Sequence, residues 1–287
     1  MPSGVLAAAL AFVLWGLFPI YIKQLAGVPA LEIVVHRTVW SLLFMVLLLA
    51  GARRLGAVRA ALSRPRTVGL FVASGTLLAV NWLVYVWAVS NERIVDASLG
   101  YFINPLISVL LGYVFLQERL RPAQWLAVLL AGAGVLWLIV GAGEWPWVAL
   151  VIAGSFGLYG LLRKTAPLGA TEGLGVEAFL QSLVALPVLL WWTAQGQGVL
   201  AQGATPMLGW LLLAGPFTAI PLLLFAAGAR SITLATLGLL QYLGPSLQFL
   251  LGVWLYGEAF GAERAAGFVL IWSALLVYSI DGLRRRR

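Results

Sequence analysis

The run Leu99-Gly-Tyr-Phe-Ile-Asn-Pro-Leu-Ile-Ser-Val-Leu-Leu-Gly-Tyr-Val-Phe-Leu-Gln-Glu118 returns 140 residues later as Leu239-Leu-Gln-Tyr-Leu-Gly-Pro-Ser-Leu-Gln-Phe-Leu-Leu-Gly-Val-Trp-Leu-Tyr-Gly-Glu258. Leu99 falls on Leu239, Pro105 on Pro245, Leu110-Leu111-Gly112 on Leu250-Leu251-Gly252 and Glu118 on Glu258, which makes 6 identities in 20 without a gap. Each copy reads as an apolar helix with a proline inside it and a carboxylate at its end. A spacing of almost half the chain divides the protein into two halves, 1–143 and 144–287.

The rest of the composition sets the medium. The 287 residues are 62% hydrophobic and 10% charged, with mean hydropathy +0.99; soluble domains carry about 25% charge. This is an all-α polytopic membrane protein. Its net charge of +8 does not point to nucleic acid, because the basic residues sit between apolar runs rather than on one soluble face. With no Cys and a single His, disulfides, thiolate metal sites and a zinc enzyme are not expected, and no cofactor is implied. Met1-Pro2-Ser3 lacks the basic region of a signal peptide, so the first apolar stretch reads as a retained span.

A membrane helix needs about 20 largely apolar residues. The uncharged runs give ten: Gly4–Ile22, Ala30–Gly51, Thr67–Val89, Ala97–Leu116, Ala123–Val140, Trp147–Leu162, Gly173–Trp192, Met207–Ala229, Ser231–Tyr256 and Ala265–Ile280. Ten spans put both termini on one side. With the termini inside, the inner segments hold 14 basic residues: Arg53, Arg54, Arg59, Arg64, Arg66, Arg119, Arg121, Arg163, Lys164, Arg230 and Arg284–Arg287. The outer loops hold 3, Lys23, Arg93 and Arg264, and Arg37 lies within a span. The excess of Lys and Arg on one side makes both termini cytoplasmic.

Five spans per half is an odd number, so the second half enters the membrane from the opposite side. Trp15-Gly16-Leu17-Phe18 also recurs, as Phe156-Gly157-Leu158-Tyr159. Two inverted five-helix repeats are the architecture of many secondary transporters, with the substrate near the midplane at the repeat interface. The plainer alternative is a duplication without mechanistic meaning.

Several motifs carry a resemblance: His36-Arg37-x-x-Trp40-Ser41, Asn81-Trp82, Trp87-Ala88-Val89, Ala97-Ser98-Leu99-Gly100-Tyr101-Phe102-Ile103-Asn104-Pro105-Leu106, Tyr159-Gly160-Leu161-x-Arg163-Lys164 and Gln241-Tyr242-x-Gly244-Pro245. Over nearly the whole chain the sequence resembles the RarD family, in the EamA branch of the drug/metabolite transporter superfamily. The resemblance implies ten helices in two EamA-type repeats and an inner-membrane location. It also implies movement of small metabolites or drugs, such as amino acids or chloramphenicol-like compounds, but gives no substrate.

Residue chemistry narrows the candidate path. Pro105 deprives the carbonyl of Tyr101 of its helical partner, and Pro245 does the same to Gln241. Tyr101, Asn104, Pro105 and Ser108 share one helical stripe; Gln241, Gly244, Pro245 and Gln248 form the matching one. These stripes line a common path, with Pro105 and Pro245 as hinges, or else the prolines only shape packing.

Arg37 and Glu177 are the charges inside spans, and an intramembrane charge is a functional candidate by default. Counting residues from each helix end separates them axially by roughly 13 Å at 1.5 Å per residue, which argues against a direct ion pair and for a wet cavity between them. Arg37 would bind a carboxylate or carbonyl, and Glu177 would bind an amine or carry a proton, with Gln181 one turn beyond. The alternative is that both charges snorkel to the headgroups. His36 is a second candidate proton carrier, read as having no carboxylate near it in sequence. Trp15, Trp40, Asn81 and Tyr85 complete the candidate lining. Trp145, Trp147, Trp191 and Trp192 read as an interfacial belt. Ala131–Gly134 and Ala265–Gly267 read as close-packing stretches.

The expected function is therefore an exporter or facilitator of small amphipathic molecules, a monomer or homodimer with the proton as candidate coupling ion. A lipid-carrier flippase of the same fold is the alternative. A membrane-embedded enzyme fits less well, because acid/base work needs clustered groups and the aspartates, Asp96 and Asp281, stand at span ends.

Overall fold

The computed structural model describes residues 2–90, 94–142, 145–203, 206–255 and 262–284. All regular structure among these residues is helical. A bilayer offers no water to backbone N–H and C=O groups, and a helix satisfies them within its own segment. The order is α1 (Pro2–Gly16), α2 (Phe18–Lys23), α3 (Ala30–Gly51), α4 (Leu55–Leu62), α5 (Pro65–Ser90), α6 (Ile94–Phe115), α7 (Pro122–Ala142), α8 (Trp147–Thr165), α9 (Ala170–Ala194), α10 (Gly198–Ala201), α11 (Pro206–Ser231), α12 (Leu234–Gln241), α13 (Leu243–Leu250), a π-helical turn at Leu251–Leu255, and α14 (Ala262–Arg284). Proline opens α5, α7 and α11, where its missing N–H costs no helical bond.

Among the described residues, seven helices are long and apolar enough to cross a membrane: Ser3–Lys23, Ala30–Gly51, Pro65–Ala88, Pro122–Val140, Trp147–Thr165, Ala170–Ala194 and Pro206–Ser231. α6 and α14 contain the shorter apolar stretches Leu99–Phe115 and Val269–Tyr278. Two expected spans are not continuous. The first is interrupted at Leu17, between α1 and α2, and the ninth at Tyr242, between α12 and α13. A proline follows each interruption: Pro19 leaves the carbonyl of Trp15 without a helical donor, and Pro245 that of Gln241. Glu258, Arg93 and Arg285–Arg287 lie outside the described residues, as do positions 143 and 144, where the two halves divide.

The packing runs between the halves as much as within them. α7 lies along α14, α3 along α9 and α11, α6 along α8 and α12, and α1 along α11 and α13. A Cβ on Gly134 would stand 2.8 Å from the carbonyl of Gly267, and one on Gly267 would stand 3.3 Å from the carbonyl of Gly134. These glycines let α7 and α14 touch backbone to backbone, as the small residues there require. One apolar core gathers α1, α3, α5, α8, α9 and α11 around Met45, Tyr159 and Phe225. A second gathers α6, α7, α8, α12 and α14 around Ala131, Tyr242 and Ile271. Trp145, Trp147 and Trp191 are exposed, as a belt needs. Trp192 differs: it packs inward against Val35 and Leu189.

Glu118, at the end of the first repeated stretch, reaches into the second half. Its carboxylate accepts the N–H groups of Leu234 at 2.8 Å and Ala235 at 3.0 Å, the orphan donors at the start of α12. Lys164 stands 4.0 Å from it and donates to the carbonyls of Ala229 and Ile232 at the end of α11.

Candidate functional site

Five helices, α3, α5, α8, α9 and α11, bring the buried charges together. Each of these helices is apolar along nearly its whole length, so a charge within it has no route to water except through the protein. Glu177 on α9 is 1% exposed. Its Oε1 accepts from Ser74 Oγ on α5 at 3.3 Å, and its Oε2 from Tyr159 Oη on α8 at 3.4 Å. The Arg163 guanidinium, also 1% exposed, approaches Oε2 at 3.7 Å. Arg163 donates to the carbonyl of Ala170 at 3.0 Å and lies over the ring of Phe71 at 5.5 Å. The ion-pair partner of Glu177 is Arg163, which the basic-residue count puts in an inner segment. Arg163 sits in the last turn of α8 and points inward.

Arg37 on α3 is 4% exposed. Its guanidinium carbon lies 4.0 Å over the centre of the Trp82 ring, a cation–π contact that replaces part of the lost hydration. Among the described residues the ion pairs of the carboxylates go to His36, Arg54, Arg121, Arg163 and Lys164, and none goes to Arg37. Its Nε is buried without a hydrogen-bond partner. Glu177 and Tyr159 act on it electrostatically from farther away.

Arg37 forms one wall of a cavity of about 20 Å³, room for a single water-sized group. Thr38, Ser41, Gln181 and Thr218 supply the other polar walls; Leu78, Leu174 and Leu222 are among the apolar ones. Gln181 donates to the carbonyl of Gly75 at 3.0 Å and Ser41 to that of Gly215 at 3.3 Å. The hydroxyl of Thr218 is buried without a partner. The cavity expected between Arg37 and Glu177 is small and is lined by Arg37 and by Ala178 and Gln181 of α9, not by Glu177.

The other candidates fall into three groups. Trp40 donates its indole N–H to His36 Nδ1 at 2.9 Å, and Glu32, one turn before, stands 3.7 Å from His36 Nε2. His36 therefore has a carboxylate near it, contrary to expectation, although Glu32 also accepts the Val199 N–H at 2.6 Å. Asn81 ties α5 to α8 through the carbonyl of Ile152 at 2.8 Å and Ser155 Oγ at 3.1 Å. Tyr85 joins an aromatic chain, 5.8 Å from Trp82 and 6.0 Å from Tyr101 between ring centres.

The two proline stripes form the third group, and they meet each other. Gln241 donates to Ser108 Oγ at 3.1 Å, and Tyr242 donates to the carbonyl of Phe102 at 3.2 Å. Asn104 is buried with its Oδ1 unpartnered. Gln248 donates to the carbonyl of Trp15 at 3.1 Å, the one freed by Pro19. None of these residues borders the cavity beside Arg37.

The sequence matches the model of the EamA-like transporter family over residues 2–140. An uncharacterized transporter of Pseudomonas aeruginosa is 48% identical over 96% of this chain and 93% of its own. Protein RarD of Streptomyces exfoliatus is 45% identical over 99% of this chain and 90% of its own, and Protein RarD of Escherichia coli 41% identical over 99% and 96%. The chain belongs to the RarD family of the drug/metabolite transporter superfamily. RarD-type chains of this kind are membrane transporters, and the seven apolar helices agree with an integral membrane protein. A solved crystal structure superposes over the full length of both chains with a TM-score of 0.74 at 20% identity, which speaks for the fold alone. In this RarD-family member the charged cluster joins Arg37 and Glu177, which stand out in the sequence as charges within spans, to Arg163, Tyr159, Ser74 and Trp82. Arg163 is not read as a site residue from the sequence because, with Lys164, it counts among the basic residues of an inner segment. The spacing of Tyr159 and Arg163, one helical turn apart and on one face, is the signal that could have found it.

Proposed function

We propose that this protein is a secondary transporter of small amphipathic metabolites or drugs. It works by alternating access between two inverted five-helix halves, 1–143 and 144–287, in a bacterial inner membrane with both termini cytoplasmic. The observation that carries this reading is the buried guanidinium of Arg37 on a cavity wall between the halves, since burying a charge without function is costly.

Support for the repeats comes from contacts that occur twice. Ser41 reaches the carbonyl of Gly215, and Gln181 reaches that of Gly75; a shift of 140 residues turns either contact into the other. A Cβ on Gly16 would stand 2.7 Å from Leu247 Cβ, and one on Gly157 would stand 2.6 Å from Ile107 Cγ2, again equivalent places. α3 and α9 begin at Ala30 and Ala170, 140 apart. Tyr242 bonds to Phe102, its own counterpart. Such reciprocity is what a pseudo-two-fold axis produces, and it gives two exchangeable gates.

In this reading Arg37 and Gln181 contact substrate, with Trp40, Asn81, Tyr85, Tyr101, Asn104, Gln241 and Gln248 along the route. Glu177 and His36 are the candidate proton carriers. Arg37→Gln and Glu177→Gln protein should insert normally and lose most flux in proteoliposomes, measured with and without a pH gradient. Wild-type flux from either variant would remove that residue from the site. Single-cysteine labelling is simple in a chain without Cys: Ser63→Cys reacting with an impermeant reagent in intact cells would reverse the topology.

One observation favours the lipid-carrier alternative. An apolar groove of about 210 Å³ between α3, α4 and α9 runs from Met45 and Phe179 to Arg59, a shape that suits an acyl chain below a charged headgroup. Flux of a fluorescent lipid analogue, lost on Arg59→Gln, would establish that reading over the first.

A further inference from the structure

We infer that the molecule this site accepts carries one net negative charge, a carboxylate-sized anion on an apolar body, and that Arg37 is its counter-ion. The inference rests on the cavity beside Arg37 being the substrate site. Three buried charges make up the cluster: Arg37, Arg163 and Glu177. Glu177 is held at close range by Arg163, Tyr159 and Ser74. That leaves one positive charge without a near counter-ion.

Comparison of equivalent positions sharpens the point. A shift of 140 residues puts Arg37 on Glu177, at crossing helices that begin at equivalent residues. The groups around Glu177 are Tyr159, Arg163 and Ser74. Their counterparts in sequence, by the shift of 141 that aligns Trp15 with Phe156 and the shift of 140 for α5 and α11, are Phe18, Ile22 and Ala214. All three are apolar. Each half thus puts a charge at the same place, but only the second half supplies the opposite charge. A buried guanidinium left so is unfavourable, and the face of Trp82 offsets part of that. The unpartnered hydroxyl of Thr218, on the cavity wall, can donate to an oxyanion, whereas Thr38 and Ser41 already give their hydroxyl hydrogens to the carbonyls of Val34 and Gly215. An ammonium group would add a second uncompensated cation, and a neutral amide would leave the first one standing. The volume of about 20 Å³ holds one water-sized group, so a carboxylate on an apolar body fits only as the Leu78, Leu174 and Leu222 walls part around it.

The experiment uses full-length protein in nanodiscs and proteoliposomes, with probes matched in shape. These are acetate, hexanoate, phenylacetate and indole-3-acetate, the amide of each, and phenethylamine. We expect thermal stabilisation by the two aromatic carboxylates and not by their amides or by the amine. Arg37→Gln should weaken carboxylate binding by at least tenfold. Arg37→Lys, which keeps the charge but loses the bidentate fork, should retain the carboxylate preference at lower affinity, and guards against loss of folding in the glutamine variant. The inference is overturned if no carboxylate stabilises the protein more than its amide, or if the preference survives Arg37→Gln. Flux of the amide or the amine that disappears in Arg37→Gln would keep the site and sink the charge assignment. Flux that ignores Arg37 altogether would sink the site.

Discussion

Pro105 and Pro245 hold the same place in a repeated stretch, yet one lies inside a continuous helix and the other follows a break. α6 runs unbroken through Pro105 from Ile94 to Phe115. The second copy stops at Gln241, restarts at Leu243 and turns π-helical at Leu251. At the break the Tyr242 N–H bonds to the carbonyl of Leu239, three residues back, at 3.3 Å. The residue before proline differs: Asn104 in the first copy, Gly244 in the second. Proline removes one bond and crowds the carbonyl four residues earlier. Glycine adds backbone freedom that disfavours helix by about 1 kcal/mol. Gly215-Pro216 stands inside the unbroken α11, so the Gly244-Pro245 pair weakens the second copy without by itself dictating the break.

Substitutions along the two copies break or sharpen this contrast. The largest effect belongs to Gly238→Val, where the second copy crosses the first. A Cβ there would lie 2.6 Å from the carbonyl of Pro105, and such overpacking costs about 1–3 kcal/mol. A clear drop in Tm in detergent is expected; an unchanged Tm would mean the proline helices are not wedged together.

Glu118→Gln comes next. Its carboxylate accepts two N–H groups of α12 and faces Lys164, and hydrogen bonds to a charged group contribute about 1.5–3 kcal/mol. The variant should unfold earlier and expose the end of α12 to hydrogen exchange. Protection equal to wild type would show that the first copy does not fasten the second.

Gln248→Leu removes the donor to the Trp15 carbonyl and should cost about 1 kcal/mol. Its counterpart Ser108 already bonds Gln241, so Ser108→Ala should cost no more than that. Gly244→Ala has the smallest expected effect and the opposite sign. The added Cβ would meet only the Phe12 carbonyl, at 3.5 Å, an ordinary contact. About 1 kcal/mol of helix preference should then straighten the second copy. Spin labels at the ends of both copies would read it, and Pro105→Ala should shift those distances in the direction opposite to Pro245→Ala if the prolines are paired hinges.

Much of this is legible in the sequence. The repeated Pro–Gly–Glu spacing marks the two helices that cross, and charge in an apolar run marks Arg37 and Glu177. The carboxylate of Glu32 four residues before His36 is visible too, but a single turn of helix is easily passed over when charges are sought in loops. Other features depend on tilt and depth. An axial count along straight helices sets Arg37 and Glu177 apart but does not say which neighbours pack against Glu177, and these are Arg163, Tyr159 and Ser74. Nor does a linear pattern say that the two proline stripes touch, Gln241 bonding Ser108.

The unmatched guanidinium of Arg37 has an electrical consequence. An empty site holds one net positive charge, and a site filled by a monoanion holds none. Moving one charge through the whole membrane potential is worth about 2.3 kcal/mol per 100 mV, scaled by the fraction of the field the site traverses. If the site accepts a monoanion as inferred above, voltage would act on the empty carrier as it resets and leave the loaded carrier alone. An interior-negative potential would hold the vacant site facing the cytoplasm, ready to load there, so the resting membrane itself would set export as the favoured direction.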